Sequence, residues 1–446
     1  MSADRARDMM QAAAPAIPAL HLLPSETGGH VFLADGSRIF EVGAPLFAEF
    51  ETARLSQDRA AVEALMQRLG LDGAPFVDDT PVQDPPLQAI SLAIAQKCNL
   101  GCTYCYARQG EFGQTPKNMP SENAKRAIDL LVAEAGAGSR INIAFLGGEP
   151  LVNRPVLREA TLYAQQEAAA RGLTAGFSIT TNGTLLNEDD ADFFEEHGFA
   201  VTVSLDGPRA QHDALRPYRG GRGSFDTIMK RLSPLLRRQS RMQVSARVTV
   251  TPANLNLATT LDDFISAGFH NVGFSPMLSS PNGQGEMQSP DLERMLGAMI
   301  ECGEVFEQKT LAGERYPFAN MLNALNEIGR GTHRPYPCGA GAGYLGVSAD
   351  GDLAACHRFV GDEEGAMGTL TGGIDPDIRN AWLTSRHVHQ QAPCNTCWAR
   401  YLCGGGCHHE VISRGRPACD FIRGWLHYCI GAWLRLSSRE QTTGGL

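Results

Sequence analysis

The chain of 446 residues carries 39 Lys+Arg against 49 Asp+Glu, a formal net charge of −10, with 43% hydrophobic and 20% charged residues. That balance excludes intrinsic disorder, and an acidic chain without a Lys/Arg run argues against a nucleic-acid or anionic-membrane surface. Its length leaves room for two to four domains at roughly 100 to 200 residues each, with cores that need no disulfide staples.

The start, MSADRARDMMQAAAPAIPALHLLP, is alanine-rich but broken by Pro15 and Pro18, and it lacks a cationic region followed by an unbroken apolar core. It reads as a frayed tail rather than a signal peptide, which places the protein in the cytoplasm. No run of about 18 apolar residues is present to form a transmembrane helix. From about Pro18 to Gly73, alternating VFLAD and IFEV runs joined across Asp35-Gly36 predict a hairpin. Two short helices follow, anchored by Leu46, Phe47 and Phe50 and by Val62, Leu65, Met66 and Leu69, the second ended by Gly70. A Pro/Asp-rich connector, Val77 to Pro86, closes this small α+β unit, set at residues 15–85.

From Leu87 to about Met277, β-rich runs at 90–95, 141–146, 177–181, 201–205, 244–251 and 272–276 alternate with helical stretches such as Ser121 to Ala135, Pro155 to Arg171 and Glu188 to His197. Such βα repetition predicts an α/β fold, an open partial (β/α)6 TIM-like barrel over 86–290, with ligands at the carboxyl ends of its strands. Leu292, Met295, Leu296, Met299 and Phe306 mark a linker helix in the 291–335 region. Gly/Cys-rich, irregular sequence from Pro335 to Cys419 and a last helix make a C-terminal domain over 336–440.

The 12 cysteines fall in two sets, Cys98, Cys102 and Cys105, then nine between 302 and 429. In a long cytoplasmic chain they read as metal ligands or redox groups rather than disulfides. The first three sit just past the first barrel strand, where thiolates from one loop suit zinc or an iron–sulfur cluster. A structural zinc site is normally closed by four ligands, and this loop offers no fourth. Three ligands on a four-iron cluster leave one iron free for a substrate.

Cys98-Asn-Leu-Gly-Cys102-Thr-Tyr104-Cys105 resembles the three-cysteine signature of the radical S-adenosylmethionine (SAM) superfamily, in which the free iron chelates SAM and cluster reduction yields a 5′-deoxyadenosyl radical. Gly147-Gly148-Glu149-Pro150 after the second strand resembles the family's GGEP, with backbone that can approach the SAM amino group and a carboxylate to accept from it. By the same resemblance Thr181-Asn182-Gly183 and Ser204-Leu205-Asp206-Gly207 fit ribose and carboxylate contacts. Arg247, in a predicted strand, is a candidate partner of the SAM carboxylate and ranks ahead of Arg216.

Cys338, Gly351 and Cys356, followed by Cys394-x2-Cys397-x5-Cys403-Gly-Gly-Gly-Cys407 and a later cysteine, resemble the SPASM domain of radical SAM enzymes that modify peptides and proteins, a module with auxiliary iron–sulfur clusters. A zinc ribbon is the alternative reading of such spacing. Phe421, Ile422, Trp425, Leu426, Ile430, Trp433 and Leu434 form one apolar helix stripe on which Cys429 falls, so Cys419 is the better seventh ligand; Cys302 falls on the linker helix's stripe in the same way. The resemblance implies Cys338, Cys356 and Cys407 on a first auxiliary cluster that lacks one cysteine ligand. It implies Cys394, Cys397, Cys403 and Cys419 on a second, for three [4Fe–4S] clusters in all. His408, His409 and Glu410, directly after Cys407, offer nitrogen or oxygen ligands or polar surface.

The wording around Cys356, Cys403 and Cys419 resembles the branch that makes thioether cross-links, of the quinohemoprotein amine dehydrogenase maturase type, and the maturases of cysteine-rich ribosomal peptides. The N-terminal unit is similar to their leader-binding elements. The resemblance implies a thioether between a Cys sulfur and a carbon, of Asp or Glu, in a precursor peptide or small enzyme subunit, with a reductase or flavodoxin-type electron donor. It names no general base, for which Asp206 is a candidate. Alternatives are a formylglycine-forming sulfatase maturase, a carbon–carbon cross-linking maturase, and a non-catalytic iron–sulfur electron-transfer scaffold.

Overall fold

The computed structural model describes residues 3–14, 20–56, 58–73, 76–77 and 80–442. Strands β1 (Leu20–Ser25), β2 (Gly28–Leu33) and β3 (Arg38–Gly43) form an antiparallel sheet, and helices Ala44–Leu55 and Arg59–Arg68 complete the N-terminal unit. Leu20, Leu22, Val31, Leu33, Phe47, Phe50, Val62 and Leu65 make its core. The expected hairpin is β2–β3; Leu69, expected as an anchor, is 37% exposed because the helix stops one residue before it.

Six parallel strands build the barrel: β4 (Ala89–Gln96), β6 (Arg140–Gly147), β7 (Thr174–Thr181), β8 (Ala200–Ser204), β9 (Gln243–Val250) and β10 (Asn271–Pro276), with the short β5 (Lys117–Asn118) paired to the end of β4. Helices Ser121–Glu134, Arg154–Ala170 and Glu188–Glu196 lie within a residue of the ranges predicted for them. Along β9, Val244, Ala246, Val248 and Val250 are buried while Ser245, Arg247 and Thr249 between them are not. Ser178, Thr180, Thr202 and Ser204 repeat the pattern on β7 and β8, so small polar residues line the face opposite the apolar one.

The C-terminal region is more regular than its Gly/Cys-rich composition suggests. Strand β11 (Tyr344–Val347) pairs parallel with β4, in register from Tyr344↔Ala89 to Val347↔Leu92. Strands β12 (Asp352–Ala354), β13 (Ala366–Thr369) and β14 (Gly373–Ile374) continue outward as an antiparallel meander, so barrel and C-terminal region share one sheet. The pairing is nonlocal, which is why local sequence pattern did not reveal it.

The start of the chain is also ordered where it is described: Ala3–Ala12 is a helix packed against the long helices Ser289–Leu311 and Cys419–Thr442. Ala6 and Ala13 are fully buried, Arg7 reaches Glu293 at 2.9 Å, and Arg5 pairs with Glu304. The frayed-tail expectation fails because the partners of this alanine face lie almost three hundred positions away. Pro15 and Pro18 fall outside the described residues. Among the described residues no helix is long and apolar enough to cross a membrane.

Candidate active site

The loop after β4 carries Cys98, Cys102 and Cys105, all free and half-buried. Two backbone bonds strap it to the segment after helix Arg209–Leu215, Gly101 N–H to Pro217 O at 2.8 Å and Thr103 N–H to Leu215 O at 3.1 Å. Arg216 lies between those two anchors. Its Nη1 donates to Tyr104 Oη at 2.7 Å and stands 3.9 Å from Asp206 Oδ2, while Tyr104 in turn donates to Asp206. His212 Nδ1 accepts from Asp206 N–H at 3.2 Å, its Nε2 meets Ser224 Oγ at 2.9 Å, and Ser224 donates to Arg216 O at 2.6 Å. Burial and then Arg216 push the His212 pKa down to about 3, so the imidazole is neutral.

This network bears on two sequence expectations. Asp206 is fully buried and also accepts from Thr249 N–H at 3.0 Å, so it braces the loop from beneath rather than facing a substrate as a base. Burial raises its pKa, opposed first by Arg216 and then by Tyr104. Arg216, ranked below Arg247 from sequence, is the cation beside the loop: its charge is the main opposition to the burial that pushes the Cys102 thiol up to about 12. Arg247 is solvent-accessible on β9, and its charged neighbours are Glu410 and Arg358 of the C-terminal region.

The Gly147-Gly148-Glu149-Pro150 turn packs on the same loop. Gly148 N–H donates to Ala95 O and Glu149 N–H to Lys97 O, at 2.8 and 3.0 Å. A Cβ on Gly148 would lie 2.4 Å from Lys97 O and 2.8 Å from Gly110 Cα. The missing side chain is therefore already required by contact between two backbones. Glu149 is fully buried; Oε1 accepts from Leu151 N–H at 3.1 Å and Thr181 Oγ1 at 2.7 Å, and Oε2 from Asn182 N–H at 2.7 Å. About one of a carboxylate's roughly four acceptor positions is left for a ligand. Asn182 Nδ2 donates to Asn99 Oδ1 at 2.9 Å and approaches Cys98 Sγ at 3.6 Å, which joins the end of β7 to the cysteine loop. Ser204, half-buried, closes β8 beside Arg247 of β9.

Pairing of β11 with β4 brings the second cysteine set to this end of the barrel. Cys338, Cys356 and Cys407 form a trio: Cys356 is pushed up to about 12 by burial and by the nearby Cys407 and Cys338. Cys394, Cys397, Cys403 and Cys419 form a quartet, all four lining one cavity. Burial pushes Cys394 up to about 11, Arg416 opposes it, and the other three thiols add to it. The two remaining cysteines, Cys302 and Cys429, are fully buried, and Cys429 Sγ lies 3.9 Å from Met321 Sδ. Three groups of soft thiols, all but Cys338 buried or half-buried, suit cationic iron–sulfur centres, whose charge would reverse the upward shifts. Among the described residues no three His, Cys, Asp or Glu side chains are gathered tightly enough for one metal ion.

Tyr106, Arg358 and Glu410 connect loop and trio. The Arg358 guanidinium lies 5.3 Å from the Tyr106 ring centroid, and its Nη1 stands 2.7 Å from Glu410 Oε1 and 3.7 Å from Cys407 Sγ. Sequence reasoning passed over Tyr106 and Arg358, although each is within two positions of a candidate ligand. His408 and His409 turn their rings edge-on to Trp382 and Phe359.

Residues 92–272 match the model of the radical SAM superfamily. The chain is similar to the serine-type anaerobic sulfatase-maturating enzyme of Klebsiella aerogenes, 27% identical over 347 residues that cover 75% of this chain and 83% of the relative. Among solved structures, native anSMEcpe with bound AdoMet matches with a TM-score of 0.66 at 20% identity, over 79% of this chain and 100% of that one. Streptococcus suis SuiB bound to precursor peptide SuiA matches with a TM-score of 0.54 at 14% identity, over 91% and 98%.

Proposed function

Because the chain belongs to the radical SAM superfamily, we propose that it joins a cysteine sulfur of its substrate to a carbon, of an Asp or Glu side chain, as a thioether. It is an enzyme that modifies a peptide or protein, with SAM and [4Fe–4S] clusters as cofactors. The observation that supports the finer reading is the unequal cysteine supply: the thiol neighbours of Cys356 are Cys407 and Cys338, whereas those of Cys394 are Cys403, Cys419 and Cys397. A centre held by the trio would keep one position for a substrate thiolate.

In this reading Cys98, Cys102 and Cys105 hold the cluster to which SAM binds, and the bound group supplies a 5′-deoxyadenosyl radical. The chain's own residues orient and shield it. Tyr104, Asp206 and Arg216 hold the cysteine loop from below, and Gly147, Gly148, Glu149 and Pro150 press it from the side. Thr181 and Asn182 fix the Glu149 carboxylate so that its free acceptor position can take the SAM ammonium. Ser204 and Arg247 supply polar contacts from β8 and β9. The N-terminal unit takes a precursor peptide or small enzyme subunit, and a reductase or flavodoxin-type protein supplies electrons.

A formylglycine-forming activity is the second reading, favoured by the likeness to the Klebsiella aerogenes maturase. The test is anaerobic incubation of the reconstituted enzyme with SAM, dithionite and peptides that contain Cys with Asp or Glu. A thioether product has lost two hydrogens, and its sulfur no longer reacts with iodoacetamide. A product that forms a hydrazone with a hydrazide probe would instead establish the aldehyde and overturn the thioether reading.

A further inference from the structure

Arg416 and Arg423 line the cavity of the quartet together with its four thiols and with Cys407 and Glu410. The two guanidiniums are not equivalent. Arg423 bonds Asp420 one turn back, so a carboxylate offsets its charge. Arg416 donates to Gly405 O and to Gln391 Oε1, both neutral, and among the described residues no carboxylate lies within ion-pair distance of it. The cations at the trio are Arg358 and Arg334, and each has a carboxylate: Glu410 stands 2.7 Å from the same Arg358 Nη1 that approaches Cys407, and Glu327 lies 3.5 Å from Arg334, which faces Cys338. The arginines that face the trio's thiols are thus paired with carboxylates, whereas of the two that face the quartet's thiols Arg416 is not.

Adding an electron makes an iron–sulfur centre more negative, and a fixed cation nearby stabilises the reduced form and raises the potential. We propose that Arg416 makes the quartet's centre the more readily reduced of the two C-terminal clusters. The inference rests on the reading that both cysteine groups hold such clusters. One electron delivered by a flavodoxin-type donor to the oxidised pair resides on the quartet, and the trio's centre stays oxidised and open to a substrate thiolate. Arg416 is a positioning residue in this scheme, because it acts on the centre's potential and touches no substrate.

The test is a potentiometric titration followed by electron paramagnetic resonance on the reconstituted holoenzyme, as wild type, Arg416→Gln, Arg416→Lys and Gln391→Glu. The signals are assigned by which one disappears in Cys394→Ala and which in Cys356→Ala. Arg416→Gln is expected to move the quartet's midpoint to lower potential, so that the first electron enters the trio's centre, and Arg416→Lys to restore most of the wild-type value. Gln391→Glu keeps an acceptor for Arg416 but sets an opposing charge beside it, and it is expected to lower the midpoint even where Arg416→Gln loses its cluster. An unchanged midpoint in Gln391→Glu, or in Arg416→Gln with full iron content, overturns the proposal. A wild-type signal set that loses nothing in Cys394→Ala overturns the functional reading itself, and the role of Arg416 falls with it.

Discussion

Tyr104 gives its phenolic hydrogen to Asp206 and receives one from Arg216 at 2.7 Å, so the residue before the last cysteine of the loop is clamped between a buried carboxyl group and a buried guanidinium. Tyr104→Phe leaves both without the hydroxyl, at a cost of about 1–3 kcal/mol. Arg216→Gln strands the Asp206 charge and is expected to cost more, about 3–5 kcal/mol. Thermal unfolding of the two variants checks the order. A milder effect for Arg216→Gln would mean that Asp206 carries no charge there.

At Gly148 the clash lies against backbone. With Lys97 O at 2.4 Å and Gly110 Cα at 2.8 Å from a built Cβ, no side-chain rotation relieves it. Gly148→Ala is expected to displace the cysteine loop, at about 1–3 kcal/mol, and to lower the iron content that the proposed function assigns to Cys98, Cys102 and Cys105. Iron content after reconstitution reads the displacement, since the trio and quartet lie on other segments. Full iron in Gly148→Ala would show that the loop yields without losing its ligands.

The barrel was legible because short β-rich runs recur between helical stretches, a repetition that needs no tertiary information. The burial of Cys429 was legible from one apolar helix stripe. What stayed hidden depends on partners far along the chain. Arg358 meets Glu410 and Cys407 only because β11 joins β4, and the N-terminal helix is held by Glu293 and Glu304 rather than by any pattern of its own. The partners of Arg216, Tyr104 and Asp206, were hidden for a related reason, since each lies on a different segment of the chain.

Cys419 and Cys429 begin and punctuate the same helix, and they make a controlled pair. Cys419→Ala is expected to lower iron content and Cys429→Ala to leave it unchanged. The second variant removes sulfur from a filled site beside Met321, at about 1–2 kcal/mol of stability. Iron analysis beside a denaturation curve for each variant separates the two effects. Iron loss in Cys429→Ala at unchanged stability would move the seventh ligand to that position.

The N-terminal sheet meets the C-terminal region at a histidine pair, His21 Nε2 to His427 Nδ1 at 2.7 Å, with His21 stacked on Trp398 at 3.9 Å. Burial, and then Arg435, pushes the His427 pKa down from its ordinary 6.5 to about 4; His21 is lowered by burial, by His427 and by Arg54. A histidine whose folded-state pKa is depressed stabilises the fold fully above its unfolded value, and that contribution is lost as pH falls through the folded value. Between pH 6.5 and about 4, wild type is therefore expected to lose more stability than His427→Gln, by up to roughly 3 kcal/mol. Urea denaturation across that window checks it, because His357, His408 and His409, each lowered to about 4, contribute equally to both proteins. Parallel curves would mean that His427 takes up its proton without breaking the contact to His21, and that the N-terminal sheet is held to Trp398 by packing alone.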